Sequence, residues 1–380
     1  MSEKQVLAVD YGASGGRVML GGFDGASFTI SELHRFPNDP VKLGDTMYWD
    51  VLRLYFEMKQ GIVKSKAYGA ISGIGVDTWG VDFGLLDREG RLLDNPVHYR
   101  DGRTAGMMEK TLKMVGRDPL YELTGNQMME LNTLFQLMAV KERRPELLER
   151  ADALLLMPDL FQYFLSGAKI SEKSIASTTQ MMDMRQGEWA FGLLETLGLQ
   201  KGMMRDILPG AVRTGSLRPE IQKELGVPAM EVIAVAGHDT QSAMAAIPAR
   251  EEDFLFISCG TWGLFGTELP EPVISEMSKK FNITNEAGLE GNYAFLKNII
   301  GLWLIQESRR QWIREGKEYG FGELETKAAC TEPLKSLINP DAPEFVPSGD
   351  IPERIRQFCR KTRQPVPQSE GEIVCCIDQS

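Results

Sequence analysis

A strand, a glycine-rich bend and a second strand occur twice in this chain, and the repeat limits its architecture more than any other feature. Val6–Asp10 is β-rich, Tyr11-Gly-Ala-Ser-Gly-Gly16 turns, and Arg17–Leu20 returns, with Phe28–Phe36 as a further strand. After Pro248 the pattern restarts, with Phe254–Ser258 as an apolar strand, Cys259-Gly-Thr-Trp-Gly263 as the bend and Leu264–Thr267 as the return. Self-similarity of this kind predicts two domains of related α/β architecture, which we divide as 1–246 and 247–380. A length of 380 residues accommodates both at ~150 residues per domain. The first bend is not a Walker loop, because no G-K-[ST] follows, and it does not open a helix as the dinucleotide fingerprint requires.

Between the bends the periodicity changes. Tyr48–Lys66 has helical spacing of Val51, Leu54, Tyr55, Met58 and Ile62. Ile74–Val76 reads as a buried strand that turns at Thr78-Trp-Gly80 and continues in Phe83–Leu86, with Asp87–Gly90 closing a hairpin. Residues 104–225 are mostly helical by pattern, including Met107–Val115, Leu131–Glu142, Pro145–Ala151 and Pro158–Leu165. Val232–Ala236 is a strand, Gln241–Ala246 a helix, and Leu296–Ile313 is expected to be helical. Ser369-Glu-Gly-Glu372 is a capping box that starts a short helix.

Lys+Arg 42 against Asp+Glu 53 gives a formal charge of −11, which supplies no basic footprint for nucleic acid or anionic lipid. An anion such as ATP would need a locally prepared site. No apolar run approaches the ~18 residues of a membrane span. Five cysteines, none in a C-x-x-C, suit a reducing cytoplasm and argue against zinc. The methionine pairs, such as Met107/Met108 and Met181/Met182, read as core gap-fillers.

Four motifs can carry chemistry, and each has a plainer reading. The bend after Asp10 can turn backbone N–H groups into an anion nest, with Arg17 adding charge and Asp10 holding Mg²⁺ through water; alternatively it is an ordinary glycine hairpin. The second bend adds Thr261 as a hydroxyl donor. ATP transfer needs donors on both sides of the β- and γ-phosphates, which a cleft between two domains would provide. Gly237-His-Asp-Thr240 puts a carboxylate at the carboxyl end of a strand, either as a proton acceptor, ionised at its ordinary pKa near ~4, or as an N-cap. Asp77-Thr-Trp-Gly-Val-Asp-Phe83 surrounds Gly80 with two carboxylates and an indole, which suits a sugar or a bulged strand with a core Trp. His98-Tyr-Arg-Asp101 with Arg103 can complete a pocket or form a solvated turn.

Together with Ser258–Trp262 and Phe295–Gln306, the motifs Asp10–Leu20, Asp77–Phe83, Tyr99–Asp101 and Gly237–Gln241 stand in one order along the chain that resembles the FGGY carbohydrate kinases. The resemblance implies two ribonuclease H-like domains of the actin/hexokinase/Hsp70 type around a central cleft. It also implies transfer of the ATP γ-phosphate, with Mg²⁺, to the 1-hydroxyl of L-rhamnulose in L-rhamnose degradation. By position it makes Asp239 the proton acceptor and assigns Gly80, His238, Asp239, Thr240 and Asn298 to the sugar. Ala13, Ser14, Gly15, Gly16, Arg17, Thr261 and Gln306 fall to ATP, and Asp10 to the metal. Another ketose or polyol kinase (fuculose, xylulose, glycerol) and an inactive sugar-binding fragment are the alternatives. The partners expected are L-rhamnulose and MgATP, without nucleic acid or membrane, for a monomer or small homo-oligomer. Gly15, Cys259 and Gly263 stand where serines are usual, and backbone donors survive each change. The family's cysteine pair falls at Cys359 and Cys376, where we expect thiols. Family members run longer at the C-terminus, so we expect a truncated second domain with the sugar side complete and the nucleotide side not.

Overall fold

The computed structural model describes residues 4–251, 253–345 and 347–380. In chain order, strands β1 (Lys4–Tyr11), β2 (Gly15–Phe23) and β3 (Phe28–Pro37) precede helix α1 (Val51–Lys64), β4 (Gly73–Thr78) and β5 (Phe83–Leu86). Helices α2 (Met107–Val115), α3 (Thr133–Arg143) and α4 (Pro145–Arg150) lead to β6 (Ala153–Leu156) and α5 (Met157–Ser166). Strands β7 (Val212–Ser216) and β8 (Glu231–Ala234) run into α6 (Asp239–Ala245). Then follow β9 (Phe256–Cys259), β10 (Trp262–Leu269), β11 (Thr284–Ala287), β12 (Tyr293–Ile300), α7 (Trp303–Arg314), α8 (Ile351–Lys361) and α9 (Glu370–Asp378).

The chain divides into two compact units that are not sequential: Met1–Leu255 with Gly266–Leu296, and Phe256–Phe265 with Lys297–Ser380. In the first, a six-stranded sheet has the order β7-β8-β4-β1-β2-β3. β1, β4 and β8 run parallel, so their carboxyl ends lie side by side, while β2 pairs antiparallel with β1 and β3 antiparallel with β2. Val51, Leu54, Met58 and Ile62 bury one face of α1, as their spacing predicts, and Asp50 caps its first turn. Gly61 lets α1 lie close on β2, since a Cβ there would sit 2.4 Å from Val18. The Tyr11 hydroxyl donates to the Leu54 carbonyl (2.8 Å) and its ring stacks on Phe161 of α5, which pins the end of β1.

The stretch expected to be mostly helical also carries short strands, among them β6, Ser171–Glu172, Met182–Asp183 and Glu188–Trp189. Met107, Met181, Met182, Met203 and Met204 are buried in its core, as gap-fillers should be. β4 and β5 do not form the expected hairpin, because β4 belongs to the large sheet whereas β5 pairs with β6. The chain crosses between the two sheets through Trp79–Asp82.

A second sheet has the order β9-β10-β12-β11. The expected helix Leu296–Ile313 is strand up to Ile300 and helix only from Trp303, so Asn298 lies on a strand. The reason is tertiary: Gly301 packs where a Cβ would lie 2.6 Å from the Trp262 backbone, and the chain reverses there. In the second unit Trp303, Leu304, Trp312, Phe345, Ile355, Cys359 and Cys376 share one core. Cys359 and Cys376 are both free thiols, and burial raises the pKa of each. The capping box at Ser369 and Glu372 forms in full. No helix among the described residues is long and apolar enough to cross a membrane.

Candidate functional site

The parallel strands bring three sequence-distant carboxylates to one edge of the first unit. Asp10 and Asp77 are register partners on β1 and β4. Backbone hydrogen bonds stitch the adjoining ends together: Trp79 N–H donates to the Tyr11 carbonyl (3.2 Å) and Thr78 N–H to the Gly237 carbonyl (2.9 Å). His238 also bridges to Thr78, so Asp239 emerges beside β4 as the first residue of α6. Ligands of open α/β sheets gather at strand carboxyl ends such as these.

Asp239 is the best-formed reactive group. Its side chain is 35% exposed. Oδ1 accepts from Thr240 N–H (2.7 Å) and more distantly from the Thr240 hydroxyl (3.4 Å), and His238 Nε2 stands 3.4 Å from the same oxygen. Among the described residues no hydrogen bond reaches Oδ2. Burial raises its pKa to about 6, with Asp10 and Glu286 pushing the same way against His238. It therefore titrates nearer neutrality than the ordinary carboxylate value expected from the sequence. Asp77 is driven well above the usual range by burial, then by Asp10 and Asp239.

The Gly237 loop is held from behind by a buried carboxylate. Glu172 accepts from Gly237 N–H (2.8 Å), Ser174 N–H (2.9 Å), Ile175 N–H (3.1 Å) and the Ser174 hydroxyl (2.5 Å). The Ser174 hydroxyl in turn accepts from His238 N–H (3.2 Å). Gly237 lets the loop lie close on these groups, since a Cβ would meet Glu172 Oε2 and Pro158 Cγ at a tight 3.0 Å. Gly80 faces the same loop, its absent Cβ 3.4 Å from His238 Nε2. Next to it Val81 has φ +68°, a conformation costing ~1–3 kcal/mol for a non-glycine residue. The Asp82 N–H to Gly80 carbonyl bond (2.9 Å) and the Thr133 hydroxyl on the Val81 carbonyl (2.6 Å) hold it there.

The expected sugar-facing indole and second carboxylate are core instead. Trp79 is 5% exposed and its ring lies 4.0 Å from that of Trp49. Asp82 is fully buried and accepts from Trp49 Nε1 (2.6 Å), Trp79 Nε1 (3.0 Å) and Gln136 Nε2 (2.8 Å). Of that motif, Gly80 and Asp77 are left to face the loop. Asp77 received no separate role from the sequence; only its pairing opposite Asp10 singles it out.

At the first bend Gly12 N–H is spent on the Gly15 carbonyl (2.9 Å), and Asn38 Nδ2 donates to the Gly12 carbonyl (2.8 Å). Ala13 and Ser14 form the tip, while Gly15 and Gly16 begin β2. Gly16 is demanded by the Phe36 ring, 2.4 Å from where its Cβ would be. Arg17 ion-pairs with Asp10 (2.6 Å) and keeps 45% of its side chain exposed. Among the described residues no three His, Cys, Asp or Glu side chains are grouped to hold a metal. A Mg²⁺ held by one or two carboxylates, phosphate oxygens and water still fits, since Asp10, Asp77 and Asp239 interact as like charges with Arg17 alone opposing them at Asp77.

In the second unit the Thr261 hydroxyl lies 3.1 Å from Gln306 Oε1, which brings together two residues assigned to ATP. Leu302 N–H donates to the Gly260 carbonyl (2.8 Å) and Trp303 N–H to the Thr261 carbonyl (3.1 Å), so the bend sits on the first turn of α7. Asn298 is half-buried in this unit on β12.

Comparison with known proteins gives a consistent result. Residues 6–246 match the model described as the FGGY family of carbohydrate kinases, N-terminal domain, and residues 255–380 match its C-terminal domain. The whole chain is 42% identical to a rhamnulokinase of Bacteroides thetaiotaomicron over 77% of that protein. It is 40% identical to a rhamnulokinase of Oceanobacillus iheyensis, over 98% of this chain and 78% of that one. The fold is similar to a ligand-bound xylulose kinase from Lactobacillus acidophilus, with a TM-score of 0.71 at 16% identity, over 87% of this chain and 66% of that one. The chain thus spans about three quarters of these curated relatives and about two thirds of the solved kinase.

Proposed function

We propose that this chain, which belongs to the FGGY family of carbohydrate kinases, transfers the γ-phosphoryl group of ATP to the 1-hydroxyl of L-rhamnulose. The products are L-rhamnulose 1-phosphate and ADP. The single observation that carries the reading is Asp239, a carboxylate raised toward neutrality at the carboxyl ends of parallel strands, in a chain about 40% identical to rhamnulokinases.

Asp239 Oδ2 takes the proton of the 1-hydroxyl as that oxygen attacks, while contacts to Oδ1 keep the carboxylate oriented. A base with a pKa near 6 combines an ionised form at neutral pH with useful proton affinity. Gly80, His238, Thr240 and Asn298 hold the sugar, and Gly80 admits it close to the backbone. Ala13–Arg17, Thr261 and Gln306 hold the nucleotide. Asp10, with Asp77 beside it, would hold Mg²⁺, which when bound neutralises charge on the phosphates. The protein's contribution is positioning and charge stabilisation rather than covalent chemistry. We assign 1–246 and 247–380 to the two kinase domains and place the protein in the cytoplasm, as a monomer or small homo-oligomer without nucleic acid or membrane partners.

A coupled ADP-release assay over L-rhamnulose, L-fuculose, D-xylulose and glycerol tests the reading. L-Rhamnulose should give the highest kcat/KM. A higher value for any other acceptor, or ATP hydrolysis unaffected by every sugar, overturns it.

A further inference from the structure

His238 stands between two carboxylates of different exposure. Its Nδ1 is 3.1 Å from Oε2 of Glu286 on β11, and its Nε2 is 3.4 Å from Oδ1 of Asp239. Glu286 is 4% exposed, and Gln241 Nε2 on α6 donates to the same Oε2 (3.2 Å). The imidazole is itself buried, with Gly80, just beyond β4, facing its Nε2. Neither Glu286 nor the sequence around it carries a motif, so nothing in the chain order points to it.

We propose that Glu286 is a positioning residue for phosphoryl transfer: it holds the His238 imidazole as a cation whose Nε2–H is turned toward Asp239 Oδ1, which fixes that carboxylate and reserves Oδ2 for the substrate proton. This rests on the reading of Asp239 as the base. The charge balance supports it. Both ring nitrogens stand within ion-pair distance of a carboxylate oxygen, and only the cation, with an N–H on each, avoids setting a nitrogen lone pair against one of them. A buried Glu without a cationic partner would itself bear the full desolvation cost. The charged groups facing His238 are Glu286 from β11, Asp239 from its own helix and Glu172 from behind the loop. Asp10 and Glu286 act on Asp239. Burial alone would lower the His238 pKa, but Glu286 first, then Asp239 and Glu172, outweigh it and raise it to about 9.

The chain has only 3 histidines, so the imidazole resonances can be followed by NMR and assigned with His34→Gln and His98→Gln variants. In the wild-type protein His238 should stay protonated through neutral pH and titrate near 9. In Glu286→Gln its midpoint should fall by ~2 units, so kcat/KM for L-rhamnulose should gain an alkaline limb near neutrality, where Asp239 loses its cation, that the wild-type protein shows only near 9. Activity lost above neutral pH should then return as the pH is lowered toward the Asp239 limb, which a merely structural defect would not do, and Glu286→Asp should restore part of the wild-type profile. A wild-type His238 that titrates near its ordinary 6.5, or one that Glu286→Gln leaves unmoved, overturns the proposal. Should Glu286→Gln fail to fold, the wild-type titration decides. Should no ketose turn over, the substrate reading fails, while the titrations still decide this one.

Discussion

The two glycine bends look alike in sequence and are built by different means. The first is closed by side chains: the Phe36 ring covers Gly16, Asn38 Nδ2 reaches the Gly12 carbonyl, and Arg17 folds back on Asp10. The second is closed by main chain: Gly301 packs against the backbone of Gly260, Trp262 and Gly263, and the first turn of α7 donates to the bend's carbonyls. Their settings differ as well. The first adjoins a set of interacting carboxylates, so its electrostatics are coupled to Asp239. At the second, the Thr261 hydroxyl meets a neutral amide, Gln306. Charge therefore governs the bend of the first unit, and backbone shape governs that of the second.

Experiments that separate charge from shape break or sharpen this contrast. Asp239→Asn removes the proton acceptor and should lower kcat by ~10²–10⁴-fold with the fold retained by circular dichroism; turnover within a few-fold of wild type would remove the base from Asp239. The same carboxylate sets the pH response. Because its folded pKa lies near 6, kcat/KM should fall about tenfold per pH unit below that point and level off above it, and an acid limb near the ordinary carboxylate value would contradict the burial argument. Gly301→Ala forces backbone apart, because its Cβ would lie 2.6–2.8 Å from main-chain atoms of Trp262, Gly263 and Gly260. It should cost ~1–3 kcal/mol in unfolding free energy and raise the KM for ATP. Gly16→Ala meets a ring that can move, so its loss in Tm should be smaller, and equal losses would erase the distinction between the two bends. The smallest effect belongs to Thr261→Val, which removes one neutral hydrogen bond of ~0.5–1.5 kcal/mol. It should raise the KM for ATP a few-fold and leave that for the sugar unchanged.

The helices and strands of the first unit follow from local pattern. The apolar spacing in α1, the span of α2, the capping box at Ser369 and the β1–β2 bend are all set by residues within a few positions of one another. As candidates, Gly80, His238–Thr240 and Thr261 could be picked out for the same reason, each lying in a short motif, whereas Gln306, 45 positions beyond Thr261, came from the family resemblance alone. What failed depended on distant partners. Nothing near Leu296 announces that Gly301 must press on another backbone, so apolar spacing alone extended a helix through a strand. Asp77–Phe83 reads as polar groups around a glycine, yet Trp49 and Gln136, far away in sequence, take Asp82 and Trp79 into the core.

The sequence by itself determined most element types, the repeat and the kinase family, and it singled out Asp239 as the candidate base, because periodicity, capping and motif order are properties of neighbouring residues. Only the tertiary structure decided which carboxylates share a charge environment: Asp77 beside Asp10, Glu172 behind Gly237, and Glu286 against His238. Proton affinity depends on burial and on charges within a few ångströms, and those distances exist only once β1, β4, β8 and β11 are in place.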